Sequence, residues 1–330
     1  MRSWIVVALL NADNFGPFGA AVYTVWVMRE RHSLIWIALA ASIGAGCAET
    51  QRPVREAPAR QVTPVPVCTE PIAPPARKES GKELVRDLDP EHWLEIMVPK
   101  YEQTKGMDGT AVDCTGNYIF ANETLRFGAP ERGYPAVIDP DDVDIRSGPK
   151  GLKAIRLRVL KFENGDVGGP IALARAVDDR AEIFGIGSYR GPADAELTPV
   201  RMGTETMLVA ESRRCPAPNN CRKTADFYLA RRGRLINAAT VDIERVQRIP
   251  SVTQRGLYAE YKLTTDVTYT AEGVQLLEQV QVRIIPYEEA GDRDSDRLLR
   301  KVEFQRLLRV QRDTLFSSNE SLWERVVGQD

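Results

Sequence analysis

The chain has 330 residues, of which 43% are hydrophobic and 27% charged. That balance can bury a core and excludes both a polytopic membrane protein and a wholly disordered chain. The net charge is −2 at neutral pH, and arginines alternate with acids, as in Glu303, Arg306, Arg309 and Arg312; this is not the basic stripe of a nucleic-acid binder, so no nucleic-acid partner is expected.

Two apolar runs open the chain. The second, from Met28, has a basic head with Arg29 and Arg31, an apolar stretch from Leu34 to Ile43, then small residues and Cys47, the three-part layout of an export signal. The apolar run between His32 and Cys47 is about 14 residues, short of the ~20 that cross a bilayer. It reads as a signal core. Because such a signal belongs at the N-terminus, residues 1–46 are read as a signal region whose true start is Met28, with an N-terminal anchor helix in residues 1–27 as the alternative.

The stretch Gly44-Ala45-Gly46-Cys47 resembles the signal of bacterial lipoproteins. The resemblance implies a diacylglyceryl group on the Cys47 thiol, cleavage just before it, and a membrane anchor through that lipid. Ala48, where an aspartate would retain the protein at the inner membrane, implies an outer-membrane address. Gly44 departs from the pattern, which normally places Leu or a similar residue there. The rival is a plain secretory signal cut near Ala45 to Ala48, leaving a secreted or periplasmic protein; both readings export the chain. Without residues 1–46, which hold Arg2, Arg29 and Arg31 against Asp13 and Glu30, the net charge becomes −3.

Residues 47–80 are rich in proline and poor in large apolar groups, so they read as a partly extended tether. Residues 81–330 read as a single β-rich domain with a helical lead-in. With Cys47 acylated, four cysteines remain, an even set in an exported chain. Cys215 and Cys221 bracket the turn-forming run Pro216 to Asn220, where a local disulfide would contribute about 2 kcal/mol. Cys68 then pairs with Cys114. Structural zinc is not expected, since no C-x2-C spacing occurs and His92 is the only histidine after the signal.

Leu84, Val85 and Leu88 suit one short helical face. Asp89 and Pro90 suit an N-cap and first turn, followed by Trp93, Ile96 and Met97 at helical spacing. Asp108 to Phe120 reads as a first strand. From Leu152 the period becomes two, with Ile155, Leu157 and Val159 facing one way and Arg156 and Arg158 the other. Asn164-Gly165 marks a hairpin into a strand at Ile171 to Val177, and Asp178 to Arg180 turn the chain into Glu182 to Tyr189. Leu257 to Tyr269 alternates without a break. Val280 to Ile284 follows as a strand, Leu298 to Val310 is read as a strand with a helix as the alternative, and Ser317 with Glu320 suits a capping box for a short helix at Leu322 to Val327. The fold class is therefore mainly β, an antiparallel meander forming a barrel or sandwich, with short helices before the first strand and at the C-terminus.

No catalytic set emerges. Gly185, Gly187 and Gly191 miss the dinucleotide spacing and suit a crowded, twisted strand. Asp292, Asp294, Asp296 and Glu303 fall at positions one, three, five and twelve of a calcium loop, but Arg297 stands where glycine must turn the chain, so a charged hairpin is the preferred reading. Asp139, Asp141, Asp142 and Asp144 surround Pro140 as turn chemistry. Ser147 and Lys150 match S-x-x-K, yet Gly148 and Pro149 occupy the place of a helix start. His92 reads as a solvated or cap-associated residue, and without it no Ser-His or Cys-His hydrolase can be assembled. No cofactor is expected.

The leading expectation is a non-catalytic envelope lipoprotein that binds an envelope protein or glycan through exposed loops such as Cys215 to Cys221 and Glu288 to Asp296. A carrier of lipid or another apolar ligand in a β-barrel is the second, and a glycan-directed hydrolase using two carboxylates the third.

Overall fold

The computed structural model describes residues 65–75, 82–99, 112–117, 140–217, 219–251, 256–286 and 297–327. Cys47, the signal, most of the proline-rich segment and Asp292, Asp294 and Asp296 lie outside them. The described chain is mainly β. Its strands form one continuous, mostly antiparallel sheet that does not close, with β2 and β14 as the ends of its main path. The sheet folds over itself in three stacked sections, each defined by the apolar surface it buries.

The first section holds β1 (Cys68–Pro71), β2 (Val143–Ser147), β3 (Leu152–Leu157), β4 (Leu160–Lys161), β5 (Asp166–Val177) and β6 (Arg180–Pro192). Its outer face packs on helix α1 (Pro90–Met97), with Trp93, Met97, Ile155, Leu157 and Ile183 in one core. The middle section holds β7 (Glu196–Met202), β8 (Glu205–Ala217), β9 (Asn220–Arg231) and the first half of β10 (Arg234–Pro250). One face meets the first section through Leu152, Leu173, Tyr189, Leu208 and Tyr228. The other meets the third section through Met207, Val209, Phe227, Val274, Leu276 and Leu308. That third section holds β11 (Leu257–Tyr269), β12 (Val274–Pro286), β13 (Arg297–Gln311) and β14 (Thr314–Phe316). Helix α2 (Leu322–Val326) completes its inner face, where Trp323 and Val326 cover Tyr261, Leu263, Val280 and Val282.

Strand β10 carries the chain between sections. Its first half pairs with β9 and its second with β11, and the register shifts at Asn237/Ala239 and Asp242/Glu244, the irregularities that bend a strand. Near its start β10 crosses β6 so closely that a parallel bridge joins Arg234 to Ile186. Glycine permits this approach. A Cβ on Gly187 would lie 2.6 Å from the Leu235 carbonyl oxygen and 2.8 Å from its Cβ. Gly187 therefore sits inside a strand at a point of close backbone approach, while Gly185 beside it faces only the Ala230 and Leu235 side chains at 3.4 Å.

The Leu257 to Tyr269 strand has the bounds its alternation implies, and its odd-numbered side chains face the core. Leu298 to Val310 is strand as well. The hairpin turn at Asn164-Gly165 joins β4 to β5, with Gly165 at φ +80°.

Other local expectations are corrected. Leu84 to Leu88 is extended rather than helical, because its backbone is held by the β5–β6 turn: Arg86 N donates to Ala176 O and Asp178 N to Leu84 O. The described part of the Asp108 to Phe120 segment, residues 112–117, is a turn. There the Asp113 carboxylate accepts from the amides of Thr115 and Asn117, the local competition by which aspartate displaces a strand. A four-residue strand, β1, precedes α1. The cap of α2 is Ser321, which accepts from Glu324 N, whereas Ser317 accepts from Asn319 N. No helix of the described residues is long and apolar enough to cross a membrane.

Replacing Gly187 with valine should force β6 and β10 apart and lower stability by about 1–3 kcal/mol, read as a lower urea midpoint. An unchanged midpoint would show that the crossing tolerates a side chain.

Candidate functional site

The four cysteines form the two disulfides Cys68–Cys114 and Cys215–Cys221. The first ties β1 to the turn after α1; the second staples the tip of the β8–β9 hairpin. Both suit an oxidising, extracytoplasmic compartment. His92 is 59% exposed at the start of α1, its Nδ1 2.7 Å from Asp89 Oδ1. That bond and the Asp89 charge raise the His92 pKa, and the arrangement is a helix cap. Glu303 lies in the middle of β13 with Lys301 and Gln279 as partners, which lower its pKa. Lys150 stands in a tight turn at φ +56°, and the Ser147 hydroxyl accepts from Lys153 instead. No cluster of metal-ligating side chains occurs among the described residues.

Among the described residues Asp113, Lys153, Arg156, Asp166, Glu182 and Glu278 are buried charges, and three of them join elements across the fold. Arg156, expected on a wet face of β3, is 1% exposed, because β3 is covered on both sides. Its guanidinium donates to the carbonyls of Ala193, Ala195, Val167 and Pro192 at 3.1 to 3.5 Å and lies 5.0 Å over the Tyr189 ring. Burial lowers its pKa.

Asp166, 4% exposed, is the second centre. Arg214 of β8 reaches both of its oxygens at 2.8 and 2.9 Å, and Arg190 of β6 and Asn164 of the hairpin reach Oδ2 at 3.1 and 3.0 Å. Burial alone would raise this carboxyl's pKa, but Arg214, Asn164 and Arg190 together hold it below the ordinary value. The cluster fastens the first section to the middle one.

Glu278 is the third. It occupies the β12 face otherwise built from Val274, Leu276, Val280, Val282 and Ile284, and is 1% exposed. One oxygen pairs with Arg306 of β13 at 2.6 Å, and the other accepts from Leu322 N, the first turn of α2, at 2.8 Å. This carboxylate thus caps the helix that covers the third section.

Two open clefts flank residues 317–321, the connection from β14 to α2. The cleft on the α2 side, about 560 Å³, is lined by Asp242, Glu278, Glu320 and Glu324 with Arg222 and Arg306. Its two inner carboxylates are already engaged, Glu278 as above and Asp242 by Arg222 and Arg245. The cleft on the other side, about 610 Å³, lies over the outward face of β12, β13 and β14. Its lining includes Gln275, Gln305, Gln311, Arg309, Asn319 and Phe316.

The side chains of Gln275, Gln305, Gln311 and Arg309 make no hydrogen bond to another described residue. On the same outward face Gln279 donates to Glu303 and Gln281 donates to Gln279. Phe316, 51% exposed, stands opposite Arg309 in the β13–β14 ladder, and Leu277, 44% exposed, stands opposite Gln305. Sequence reasoning read this face only as solvated charge. The available signal was the recurrence of glutamine at 275, 305 and 311 beside a phenylalanine near the strand end.

Glu278→Ala should cost about 3–5 kcal/mol by leaving Arg306 without its partner, whereas Glu278→Leu with Arg306→Met should regain most of that in urea melts. If both proteins unfold at the parent midpoint, the pair is not a brace. Asp166 supplies stability above its unfolded pKa of about 4, and this is lost as pH falls toward its lower folded value. Asp166→Asn should therefore destabilise at pH 7 and flatten the stability–pH curve below about pH 4; a parallel curve would contradict the assignment. Comparison of the chain with protein-family models, with curated proteins and with solved structures finds no match, so the functional reading rests on its own residues.

Proposed function

We propose that the chain is a non-catalytic recognition module of the bacterial cell envelope, anchored through lipid on Cys47 to a membrane, the outer one by its Ala48 signal. The proline-rich stretch between Cys47 and β1, about 20 residues, suits a spacer that would hold the β domain up to several nanometres from the bilayer at ~3 Å per residue. One observation carries the binding reading: a cleft of small-ligand size, within the ~300–1,000 Å³ range, is lined by amides and a guanidinium with no hydrogen bond to another described residue, while the buried acids are engaged in bracing the fold. A catalytic acid must be free to exchange a proton with substrate. Asp166, Glu182, Glu278 and Asp113 instead accept from arginines and, for Asp113 and Glu278, from backbone amides.

The acid-lined α2-side cleft favours the glycan hydrolase as a second reading. Two carboxylates facing each other across a groove are what that chemistry needs. Arginine on both inner acids weighs against it. The carrier reading draws less support, because the apolar faces that would enclose cargo pack section against section.

Expression from Met28 in a bacterial host with intact-mass analysis tests the anchor. The mature chain should begin at Cys47 with a diacylglyceryl mass, and Cys47→Ser should move it from membrane to soluble fraction with its thermal midpoint unchanged. An unprocessed or cytosolic product would overturn the envelope reading.

A further inference from the structure

We propose that the cleft over β12, β13 and β14 binds an uncharged oligosaccharide, an assignment that rests on the reading of the chain as a recognition module. A neutral glycan presents rows of hydroxyls, each both donor and acceptor, and flat faces of C–H groups. The cleft has complements to both. Side-chain amides carry a donor and an acceptor on one planar group, and Gln275, Gln305, Gln311 and Asn319 place four of them around one trough. Phe316 offers an exposed ring at its side, with Leu277 across the ladder from Gln305.

Charge narrows the ligand. Glu272 and Arg309 in the lining oppose each other in sign, and the one other charged group, Arg306, is taken by Glu278 at 2.6 Å. No excess of positive groups exists to select a phosphate or a polyanion, and none of negative groups to select a cation. The outward apolar side chains, Leu277, Leu307 and Phe316, stand among polar neighbours and are too small an area to hold a lipid chain or a hydrophobic helix. What remains is hydrogen bonding to a neutral polyhydroxylic ligand, aided by contact with one aromatic face.

Position in the fold supports the assignment. The floor is a paired β-ladder, Gln275 opposite Leu307 and Arg309 opposite Phe316, so the three glutamine amides project from paired strands and only Asn319 from a loop. Such pre-organisation limits the ordering cost of a weak polar ligand. A few residues away on the same face, Gln279, Gln281, Lys301 and Glu303 bond among themselves. They form an internal control of like composition.

The test is titration of the ¹⁵N-labelled mature chain, released from the membrane by Cys47→Ser, with chitotetraose, cellotetraose and maltotetraose, following the glutamine side-chain and backbone amide resonances. Saturable shifts confined to residues 270–275, 305–311 and 316–319 are expected for at least one sugar. Phe316→Ala and Gln305→Ala should each weaken that binding tenfold or more with unchanged thermal midpoints, while Gln279→Ala leaves it intact. No saturable shift at millimolar sugar, or shifts centred elsewhere, would overturn the assignment.

A photocrosslinker in place of Gln305, in envelope-resident protein, separates this failure from that of the parent reading. Specific crosslinking to an envelope protein without sugar binding would retain recognition and remove the glycan. A cytosolic chain would remove the parent reading whatever the sugars do.

Discussion

The approach of β10 to β6 sets the position of everything after it. A strand leaving the β9 hairpin must pass over the first section before it can found the third, and it passes where Gly187 leaves no side chain in the way. Any Cβ at Gly187 would meet the Leu235 backbone, so the crossing is a steric condition rather than an attractive contact. Once met, it lets Leu235 join the core with Leu173, Leu208 and Tyr228. It also starts β10 on a path whose later bulges bend it toward β11. The middle section is thereby buried on both faces, and the third receives its position from β10 alone among the strands beside it in the main path.

Charges bridge the places where apolar packing passes from one element to the next. Asp166 draws Arg190 and Arg214 from two sections onto one carboxylate, and Glu278 couples Arg306 to the first turn of α2. Buried ions cost desolvation unless their hydrogen-bonding capacity is filled. Here bidentate or multiple contacts satisfy the carboxylate oxygens of Asp166 and Glu278, though Arg306 Nε is buried without a hydrogen-bond partner, and this favours one arrangement of sections over a slipped one. Arg156 reaches the same end without a carboxylate, through four carbonyls that include the Pro192 to Ala195 turn joining β6 to β7.

This use of acids bears on function. A fold that places its buried carboxylates under arginine has little proton-transfer chemistry left in those groups, and a recognition role follows more readily than a catalytic one. The cleft on the outward face of the third section is the contrasting region, where Gln275, Gln305, Gln311 and Arg309 do not bond to their described neighbours. Loops were the expected seat of binding, and the stapled Cys215–Cys221 tip is indeed exposed. The cleft instead draws its floor from strands, which hold amides at fixed spacing better than a loop does.

Legibility in the sequence followed burial. Where one face of a strand is wet, as from Leu257 to Tyr269, alternation marks its bounds, and the same logic recovered β12, β13 and the hairpin at Asn164-Gly165. In β8 the consecutive residues Met207 to Ala210 are all buried, because they lie between two cores. A strand covered on both faces loses its period of two, so the middle section was not legible, nor was the burial of Arg156. The candidate cleft was equally hidden, since Gln275, Gln305 and Phe316 lie far apart in the chain and only the ladders join them. By itself the sequence determined the β class, the turns at Asn164-Gly165 and Asp178 to Arg180, the α1 cap and the disulfide pairing, because each depends on spacing or parity within short segments. Tertiary structure alone decided how the sheet folds into three sections, which charges become braces and which amides meet in a cleft, because those depend on contacts between residues that no local pattern relates.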